Sequence, residues 1–327
     1  MALGTAFINE HIARWEAELR KPYYAYREKW PSRLFHHSPL ANAVKILIAG
    51  KLRSRADPEN SDFVDVAGAG VIDARDHAHN YVRLYFRPRT PTQFHIEGIR
   101  KAGECQFGEQ AHAPVLVMFV FDSRKVLRLE GTRFSDRNMQ LGAAAAHDSE
   151  DYFSTIPFAK VYHEGGTGGD RSIIEHRCAE VLAESPLDLE ETLQWIYCRS
   201  SAERDTLLYL LRNHELDYSQ RVLISDDLRV FEKKYVFVEF VSLSSAGVIF
   251  QLNPRADGQK INVRVKAWNN SGKQIVDFYN GELAAVPTGA PRWRVATDLK
   301  NGRYRVRIEL ENQLAYENVL TLGPAFL

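Results

Sequence analysis

The spacing of hydrophobic positions changes along this chain of 327 residues, and each spacing predicts one kind of element. Residues 5–20 carry apolar side chains at helical spacing, which predicts an amphipathic helix within an N-terminal extension, residues 1–32. Residues 33–52 predict a short strand followed by a helix, because Ser38 is a favourable N-cap residue and Gly50 a favourable C-cap residue.

The middle of the chain predicts a mixed α/β domain, residues 33–242. Residues 81–86 alternate apolar and polar side chains, which is typical of a half-buried strand. Residues 114–129 predict a buried strand that runs into a second strand, and residues 130–175 predict a loop-rich stretch with short helices. Long irregular stretches inside a folded domain are often functional, so this stretch is a candidate for substrate contacts.

Beyond residue 248, apolar and polar side chains alternate regularly along the chain. Residues 248–327 therefore predict a small antiparallel β-sandwich of the immunoglobulin-like type. Four dipeptides are expected to form hairpin turns. They are Asp257-Gly258, Ser271-Gly272, Asn280-Gly281 and Asn301-Gly302.

Arginines are frequent in this predicted sandwich, and two interpretations of them stay open. They either form one face that holds a nucleic-acid backbone or solvate the outer face of an ordinary sandwich. The arginines are Arg292, Arg294, Arg303, Arg305 and Arg307.

Charge and cysteine content exclude several classes of protein. Lys and Arg together number 42, as do Asp and Glu, so no overall charge draws the chain to nucleic acid or to an anionic membrane. The three cysteines show no CxxC spacing, which argues against a disulfide framework or a zinc site. The first residues do not resemble a signal peptide, and the longest apolar run, residues 113–121, is too short to span a bilayer. We expect a cytoplasmic protein without membrane contact.

A proline-rich turn follows the strand of residues 81–86 and has two interpretations. Pro88 and Pro91 either hold Arg87 and Arg89 against a phosphate group or simply end an edge strand whose arginines are solvated. No metal site is predicted, because His77 and His79 belong to no larger cluster of ligand residues.

Four segments in one order give these patterns a chemical meaning. They are Phe35-His36-His37-Ser38, "HNYVRLYFRPRTPTQF" at 79–94, "FSDRN" at 134–138 and "RCAEVL" at 177–182. Together they resemble the DarT-type ADP-ribosyltransferases, the toxins of DarT/DarG-like toxin-antitoxin pairs, over residues 33–240. The resemblance implies an α+β ADP-ribosyltransferase fold, NAD as co-substrate, and transfer of ADP-ribose to a base of single-stranded DNA. It also implies a cognate antitoxin and a role as a toxin or phage-defence effector.

The resemblance assigns roles to individual residues. Glu180 matches the catalytic glutamate, and His36, with Ser38 close behind it, matches the residues that hold NAD. Tyr85 is assigned to the NAD site as well. Arg75 is the candidate for an arginine that contacts NAD and assists catalysis, with Arg55 as its rival.

Nucleic-acid contacts are expected from two further segments. Asp136, Arg137 and Asn138 match the start of a loop that presents the nucleobase in relatives, and Arg87 and Arg89 are candidates for backbone contacts.

The chemistry of the reaction agrees with these residue types. Breaking the nicotinamide glycosidic bond develops oxocarbenium charge, which a carboxylate such as Glu180 can stabilise while it accepts a proton from the incoming base nitrogen. An arginine can neutralise the NAD diphosphate by bidentate contact. Two alternatives stay open: transfer onto RNA, and a non-catalytic nucleic-acid or protein-binding module that retains the fold.

Overall fold

The computed structural model describes residues 2–60, 63–64, 76–101, 103–105, 112–139, 144–255 and 257–323. Two units alternate along the chain. The first comprises Met1–His95, Met118–Tyr197 and Ser225–Glu232, and the second comprises Ile96–Val117, Cys198–Ile224 and Lys233–Leu327. Within the described part of the chain, none of the helices combines the length and apolar character that a bilayer span requires.

The described residues of the first unit form eight strands and eight α-helices, two of which, β4 and α3, extend slightly beyond its bounds. The strands are β1 Arg33–Pro39, β2 Lys51–Leu52, β3 Tyr81–Tyr85, β4 Leu116–Asp122, β5 Arg133–Ser135, β6 Glu180–Glu184, β7 Leu187–Asp188 and β8 Leu193–Tyr197. The helices are α1 Thr5–Leu19, α2 Leu40–Ala49, α3 Pro91–Ile96, α4 Ser123–Val126, α5 Glu150–Thr155, α6 Phe158–Val161, α7 Ser172–His176 and α8 Leu189–Thr192. Six of the strands lie side by side in the order β5–β6–β3–β1–β4–β8.

The N-terminal predictions are confirmed except for one helix cap. Helix α1 has the predicted extent and buries Ile8 and Ile12, and Gly50 ends α2 in the left-handed conformation with φ +64°. Ser38 is not the N-cap of α2, because β1 continues through Pro39 and the helix begins one residue later than expected. A residue that precedes proline is pushed toward extended backbone, which keeps Ser38 in the strand.

Strand β4 lies between β1 and β8 in the sheet, and residues 116–121 are fully buried. The predicted second strand after it is wrong. The carboxylate of Asp122 accepts a hydrogen bond of 2.8 Å from the backbone N–H of Arg124 and so begins α4. An N-cap of this kind outweighs the strand propensity of the valine and leucine residues that follow.

The proline-rich turn after β3 brings two arginines into the protein. The side chain of Arg87 is 2% exposed, lies 4.9 Å from the centre of the Trp30 ring and forms an ion pair with Glu164. Arg89 donates a hydrogen bond of 2.7 Å to the other oxygen of the same carboxylate. Arg87 also donates to three backbone carbonyl groups. They belong to Pro88, Val161 and His163.

The solvated-arginine interpretation of this turn is therefore wrong. Strand β3 lies between β1 and β6 and is not an edge strand. Arg89 adopts a left-handed φ of +53°, and its side chain also donates a hydrogen bond of 2.8 Å to the hydroxyl of Tyr26. The two arginines hold the chain around Glu164 against the end of β3, in the later part of the loop-rich stretch that leads to β6.

In the second unit, the residues that the structure describes form one α-helix and eight strands. They are α9 Ser201–Arg212, β9 Val222–Leu223, β10 Val238–Ser244, β11 Gly247–Leu252, β12 Ile261–Trp268, β13 Gln274–Leu283, β14 Trp293–Ala296, β15 Gly302–Leu310 and β16 Gln313–Leu322. One sheet has the order β10–β11–β14, and another has the order β13–β12–β15–β16. Apolar side chains of both sheets join one hydrophobic cluster, which includes Phe250, Val265 and Ile308. The region is therefore all-β, as predicted.

The turn predictions for this unit have different outcomes. Gly272 takes a turn conformation with φ +77°, as predicted, between the paired strands β12 and β13. Ser200 caps α9 by accepting a hydrogen bond of 3.2 Å from the N–H of Glu203. Asn280-Gly281, however, lies inside β13 and forms no hairpin turn.

The arginines of this unit do not gather on neighbouring strands. Arg294 lies on β14 and Arg307 on β15, and these strands belong to different sheets. Arg307 is paired with Glu309 at 2.9 Å and with Glu317 at 3.4 Å. The predicted single arginine face is therefore divided, and part of its charge is neutralised.

The Glu164 cluster gives a test of what holds the loop-rich stretch in place. Glu164→Gln should lower the free energy of unfolding by about 3 kcal/mol, because it leaves the buried Arg87 without its counter-charge. Glu59→Gln is the matched control, since Glu59 pairs with Arg53 but is 72% exposed, and surface pairs contribute about 0–1 kcal/mol. Urea denaturation of both variants measures the difference. Equal midpoints would contradict the assignment.

Candidate active site

Glu180, the first residue of β6, is fully buried at the centre of three strands. Strand β3 runs antiparallel to it on one side and pairs Tyr85 with Glu180, and β5 on the other side pairs Ser135 with Glu180. Paired residues of antiparallel strands project from the same face of the sheet. Tyr85 and Ser135 are therefore the nearest cross-strand neighbours of the Glu180 carboxylate.

Arg83 is the partner that holds this carboxylate. It lies two residues before Tyr85 and so shares its face of β3. Its Nε donates a hydrogen bond of 3.2 Å to one carboxylate oxygen of Glu180, and its Nη2 pairs with the other oxygen. The backbone N–H of Met139 adds a third donor at 3.3 Å. With both oxygens engaged, the carboxylate has one fixed orientation.

The electrostatics of this pair follow from its burial. Removal from water raises the pKa of Glu180 above its ordinary value, and the charge and hydrogen bonds of Arg83 limit that rise. Burial alone would lower the pKa of Arg83, but the nearby Glu180 outweighs it and raises that pKa. Arg83 therefore stays charged and favours the ionised form of Glu180.

His36 is neutral near physiological pH. Burial lowers the pKa of His36 to about 4, and its Nδ1 lies 3.0 Å from the backbone carbonyl oxygen of Arg83. Because a carbonyl oxygen only accepts, Nδ1 carries the proton and Nε2 is left as an acceptor. The histidine is thus anchored to the same strand that carries the Arg83 guanidinium.

His37 and Tyr85 form a stacked pair on the Glu180 face of the sheet. Their ring centres are 5.4 Å apart and the rings are almost parallel, at 5°. Burial lowers the pKa of His37 to about 3 and raises the pKa of the Tyr85 hydroxyl. Both groups are therefore uncharged near neutral pH, which leaves Arg83 as the cation next to Glu180.

Ser38 carries an unsatisfied hydroxyl. The residue is 1% exposed, and its Oγ has no hydrogen-bond partner among the residues that the structure describes. A buried hydroxyl without a partner costs about 1–3 kcal/mol, so such groups call for an explanation. A polar ligand group that reached this hydroxyl would remove that cost.

The segment after β5 brings one of its three predicted residues to the site. Asn138 accepts a hydrogen bond of 2.9 Å from Arg83 through its amide oxygen. Asp136 and Arg137 pair with each other at 2.8 Å, and Arg137 also reaches Glu175 at 3.0 Å. Their side chains thus tie the segment to α7, and Asn138 joins the pair of Arg83 and Glu180.

The remaining predicted residues divide into three cases. Arg75 lies outside the described residues. Arg55 lies between β2 and the short 3₁₀ helix Pro58–Asn60 and stays a rival for the NAD-contacting arginine. Arg87 and Arg89 are buried around Glu164, as described above, so their contact with nucleic acid stays a prediction that this placement does not support.

Sequence reasoning missed Arg83 and His37. The alternation of residues 81–86 placed Arg83 on the polar face of its strand, but only the pairing of β3 with β6 shows that this face meets Glu180. One signal in the sequence could have indicated Arg83: it lies two residues before Tyr85, so both side chains share one face of the predicted strand. Within the described ranges, no group of three histidine, cysteine or acidic side chains could hold a metal ion.

Comparison with known proteins gives the family. No curated protein matches the chain. It is similar to Thermus sp. 2.9 DarT in complex with ADP-ribosylated ssDNA, at 19% identity over 61% of this chain and 96% of that one, with a TM-score of 0.48. It is also similar to Thermus sp. 2.9 DarT in complex with NAD+, at 18% identity over 61% of this chain and 97% of that one, with a TM-score of 0.47. Thermosipho africanus DarTG in complex with ADP-ribose gives 15% identity, 68% and 55% coverage and a TM-score of 0.45.

The family model described as "ssDNA thymidine ADP-ribosyltransferase, DarT" matches residues 35–227, which is more than half of the 327 residues. The matched stretch contains His36, Arg83 and Glu180, which lie on the neighbouring strands β1, β3 and β6. The chain therefore belongs to the DarT family of single-stranded DNA thymidine ADP-ribosyltransferases.

Proposed function

We propose that Glu180 is the catalytic carboxylate with which this chain transfers ADP-ribose from NAD to a thymidine base of single-stranded DNA. The observation that carries the proposal is the buried pair of Arg83 and Glu180, in which both carboxylate oxygens are fixed at the first residue of β6. The family match over residues 35–227 supports both the reaction and the substrate.

The reaction breaks the bond between the ribose C1′ and the nicotinamide nitrogen, and nicotinamide leaves as a neutral molecule. The ribose carbon develops positive charge, which the Glu180 carboxylate stabilises from a site shielded from water. A ring nitrogen of thymine then forms the new bond to C1′ and releases its proton, which Glu180 accepts. Arg83 is a positioning residue here, because it keeps Glu180 ionised and correctly oriented.

The residues around His36 suit the nicotinamide end of NAD. A protonated histidine would repel the cationic pyridinium ring, whereas neutral His36 offers Nε2 as an acceptor for a ribose hydroxyl or a carboxamide N–H. The unpartnered hydroxyl of Ser38 would gain a hydrogen bond from the same ligand. The flat face of Tyr85 completes the predicted set of NAD contacts.

We further infer the organisation of the chain. Residues 33–242 form the transferase domain, residues 1–32 are an extension, and residues 248–327 form an immunoglobulin-like sandwich with an accessory role. The hydrophobic cluster shared by the two C-terminal sheets supports this sandwich.

The biological setting is proposed from the family and the reaction. The chain acts as a toxin in DarT/DarG-like pairs, is countered by a cognate antitoxin and serves in phage defence. Its three free cysteines fit a reducing cytoplasm.

The first prediction concerns Glu180. Glu180→Gln should lower the rate of ADP-ribose transfer about 10²–10⁴-fold, the usual contribution of a general base. Intact mass spectrometry of thymidine-containing single-stranded DNA, duplex DNA and RNA, each incubated with NAD, measures the adduct. Glu184→Gln, at the exposed end of the same strand, is the matched control and should keep full activity.

The same assay decides between the alternatives. An ADP-ribose adduct on RNA would favour RNA as the substrate. If NAD stays intact in the presence of each nucleic acid, the result would favour a non-catalytic binding module. Wild-type rates in Glu180→Gln would overturn the proposed mechanism.

The second prediction uses pH to test Arg83. Because the charge of Arg83 lowers the pKa of Glu180, Arg83→Gln should raise that pKa further. The loss of kcat/KM on acidification should then begin at a higher pH than in the wild type, and the rate should fall about 100-fold. Arg133→Gln, at an exposed arginine of β5, should leave the pH profile unchanged. A lower rate without a shifted profile would assign Arg83 a purely structural role.

The third prediction separates NAD binding from stability at Ser38. Ser38→Ala should weaken NAD binding about 5-fold, the value of one hydrogen bond, without lowering the urea midpoint, because the hydroxyl has no partner among the described residues. Ser200→Ala is the opposite control: it removes the cap of α9 and should cost about 1 kcal/mol of stability without affecting NAD. Calorimetry in a Glu180→Gln background measures binding without turnover. Unchanged NAD affinity in Ser38→Ala would remove Ser38 from the site.

A further inference from the structure

Two exposed tyrosines lie in the segment that precedes the family domain. Tyr23 is 82% exposed and Tyr24 is 44% exposed, between the end of α1 and the 3₁₀ helix Ala25–Lys29. The family match begins only at residue 35, so these side chains belong to the extension and not to the matched domain. Adjacent exposed aromatic rings of this size are candidates for an interaction surface.

Tyr24 is held in a fixed position although it is exposed. Its φ of +63° is left-handed, which is uncommon for an aromatic residue. The guanidinium of Arg27 lies 5.4 Å from the centre of its ring, and the ring of Tyr26 meets it edge-on at 6.2 Å. A strained backbone and a ring fixed by neighbours are typical of sites that bind something.

Positive charge gathers beside these rings. Arg27 donates a hydrogen bond of 2.8 Å to the carbonyl of Tyr162, and Arg177 donates one of 2.6 Å to the carbonyl of Gly165. The guanidinium of Arg229 lies 4.9 Å from the centre of the Tyr26 ring. Among the described residues, the carboxylates that act on Arg27, Arg87 and Arg89 are those of Glu164 and Glu232.

Three of these arginines also act on His163. Burial lowers the pKa of His163, and the charges of Arg177, Arg27 and Arg87 lower it further, while Glu164 acts in the opposite direction. Among the charged groups that act on this imidazole, arginines therefore outnumber carboxylates, although the whole chain has a formal net charge of zero.

The tyrosines are also connected to the catalytic strand. The hydroxyl of Tyr24 lies 3.2 Å from the position that a Cβ atom on Gly165 would occupy. Arg177 holds the carbonyl of Gly165 and lies three residues before Glu180. Three residues span at most about 10 Å, so the backbone of Arg177 lies within that distance of Glu180, and the line of contacts continues through Gly165 to Tyr24.

We propose that Tyr23 and Tyr24, with Arg27 and Arg177 beside them, form a stacking surface for the unpaired bases that flank the modified thymidine. This tyrosine surface rests on the proposed function, since it deepens the contact of that site with its substrate. Unpaired bases stack on exposed aromatic rings, and their phosphates are attracted by arginines. Duplex DNA keeps its bases stacked on each other and cannot use the rings, so the surface would select for single strands.

A binding experiment tests the surface without relying on catalysis. Fluorescence anisotropy with a labelled single-stranded 12-mer should show at least about 10-fold weaker binding for Tyr23→Ala/Tyr24→Ala, since the loss of even one stacked base has an effect of about that size. Tyr23→Phe/Tyr24→Phe keeps both rings and should bind like the wild type. Tyr279→Ala is the matched control, because Tyr279 is 60% exposed on a strand of the C-terminal sheets. Equal binding by the alanine double variant and the wild type would overturn the proposal, as would equal losses for the alanine and phenylalanine variants.

An activity measurement separates this proposal from the proposed function. On a thymidine-containing trinucleotide the alanine double variant should match the wild type, whereas its KM for the 12-mer should rise about 10-fold. An equal rise for both substrates would contradict a surface that binds flanking bases. If the wild type binds the 12-mer through the tyrosines but forms no adduct, the proposed function fails and the surface stands.

Discussion

The buried carboxylate of Glu180 is the constraint on which the rest of the site depends. An isolated charge in the interior of a protein is strongly destabilising, so it must be paired and hydrogen-bonded. Arg83 supplies the counter-charge and two donors, and the N–H of Met139 supplies a third. These contacts fix the register of β3 against β6 and bring the segment after β5 to the same point.

A second carboxylate, that of Glu164, is paired with arginines in the same way further along the loop-rich stretch. Glu164 is held by Arg87 and Arg89 from the turn after β3, and Arg177 holds the backbone of His163. The stretch between β5 and β6 is thus anchored near its start by Arg83 and further along by the proline-rich turn. Both anchors originate from β3 and the residues that follow it. One strand therefore positions the Glu180 carboxylate and also the segment that follows β5.

Local patterns could be predicted from the sequence, and contacts between distant segments could not. Helix α1, the glycine that ends α2 and the alternation of the C-terminal strands follow from periodicity and caps, which act over a few residues. The contact of Arg83 with Glu180 could not be predicted, because it depends on the pairing of β3 with a strand about a hundred positions later. The contacts of Arg87 could not be predicted either. Nothing near this residue in sequence indicates that its guanidinium donates to the carbonyl groups of residues 161 and 163. The resemblance supplied Glu180, since a buried glutamate at the start of a strand has no periodic signal.

In the proposed mechanism, burial of Glu180 serves the reaction and opposes it at the same time. A site without water strengthens the attraction between the carboxylate and the developing charge on the ribose. The same burial raises the pKa of Glu180 and so favours the protonated form, which could not stabilise that charge. Arg83 acts against this effect, because its charge and hydrogen bonds lower the pKa of Glu180, but it also neutralises part of the charge that the ribose would meet. His36 and His37 add no further positive charge, because burial lowers their pKa values and keeps both imidazoles neutral. Among the described residues, Arg83 is therefore the cation that sets the balance between an ionised carboxylate and a carboxylate whose charge is already compensated.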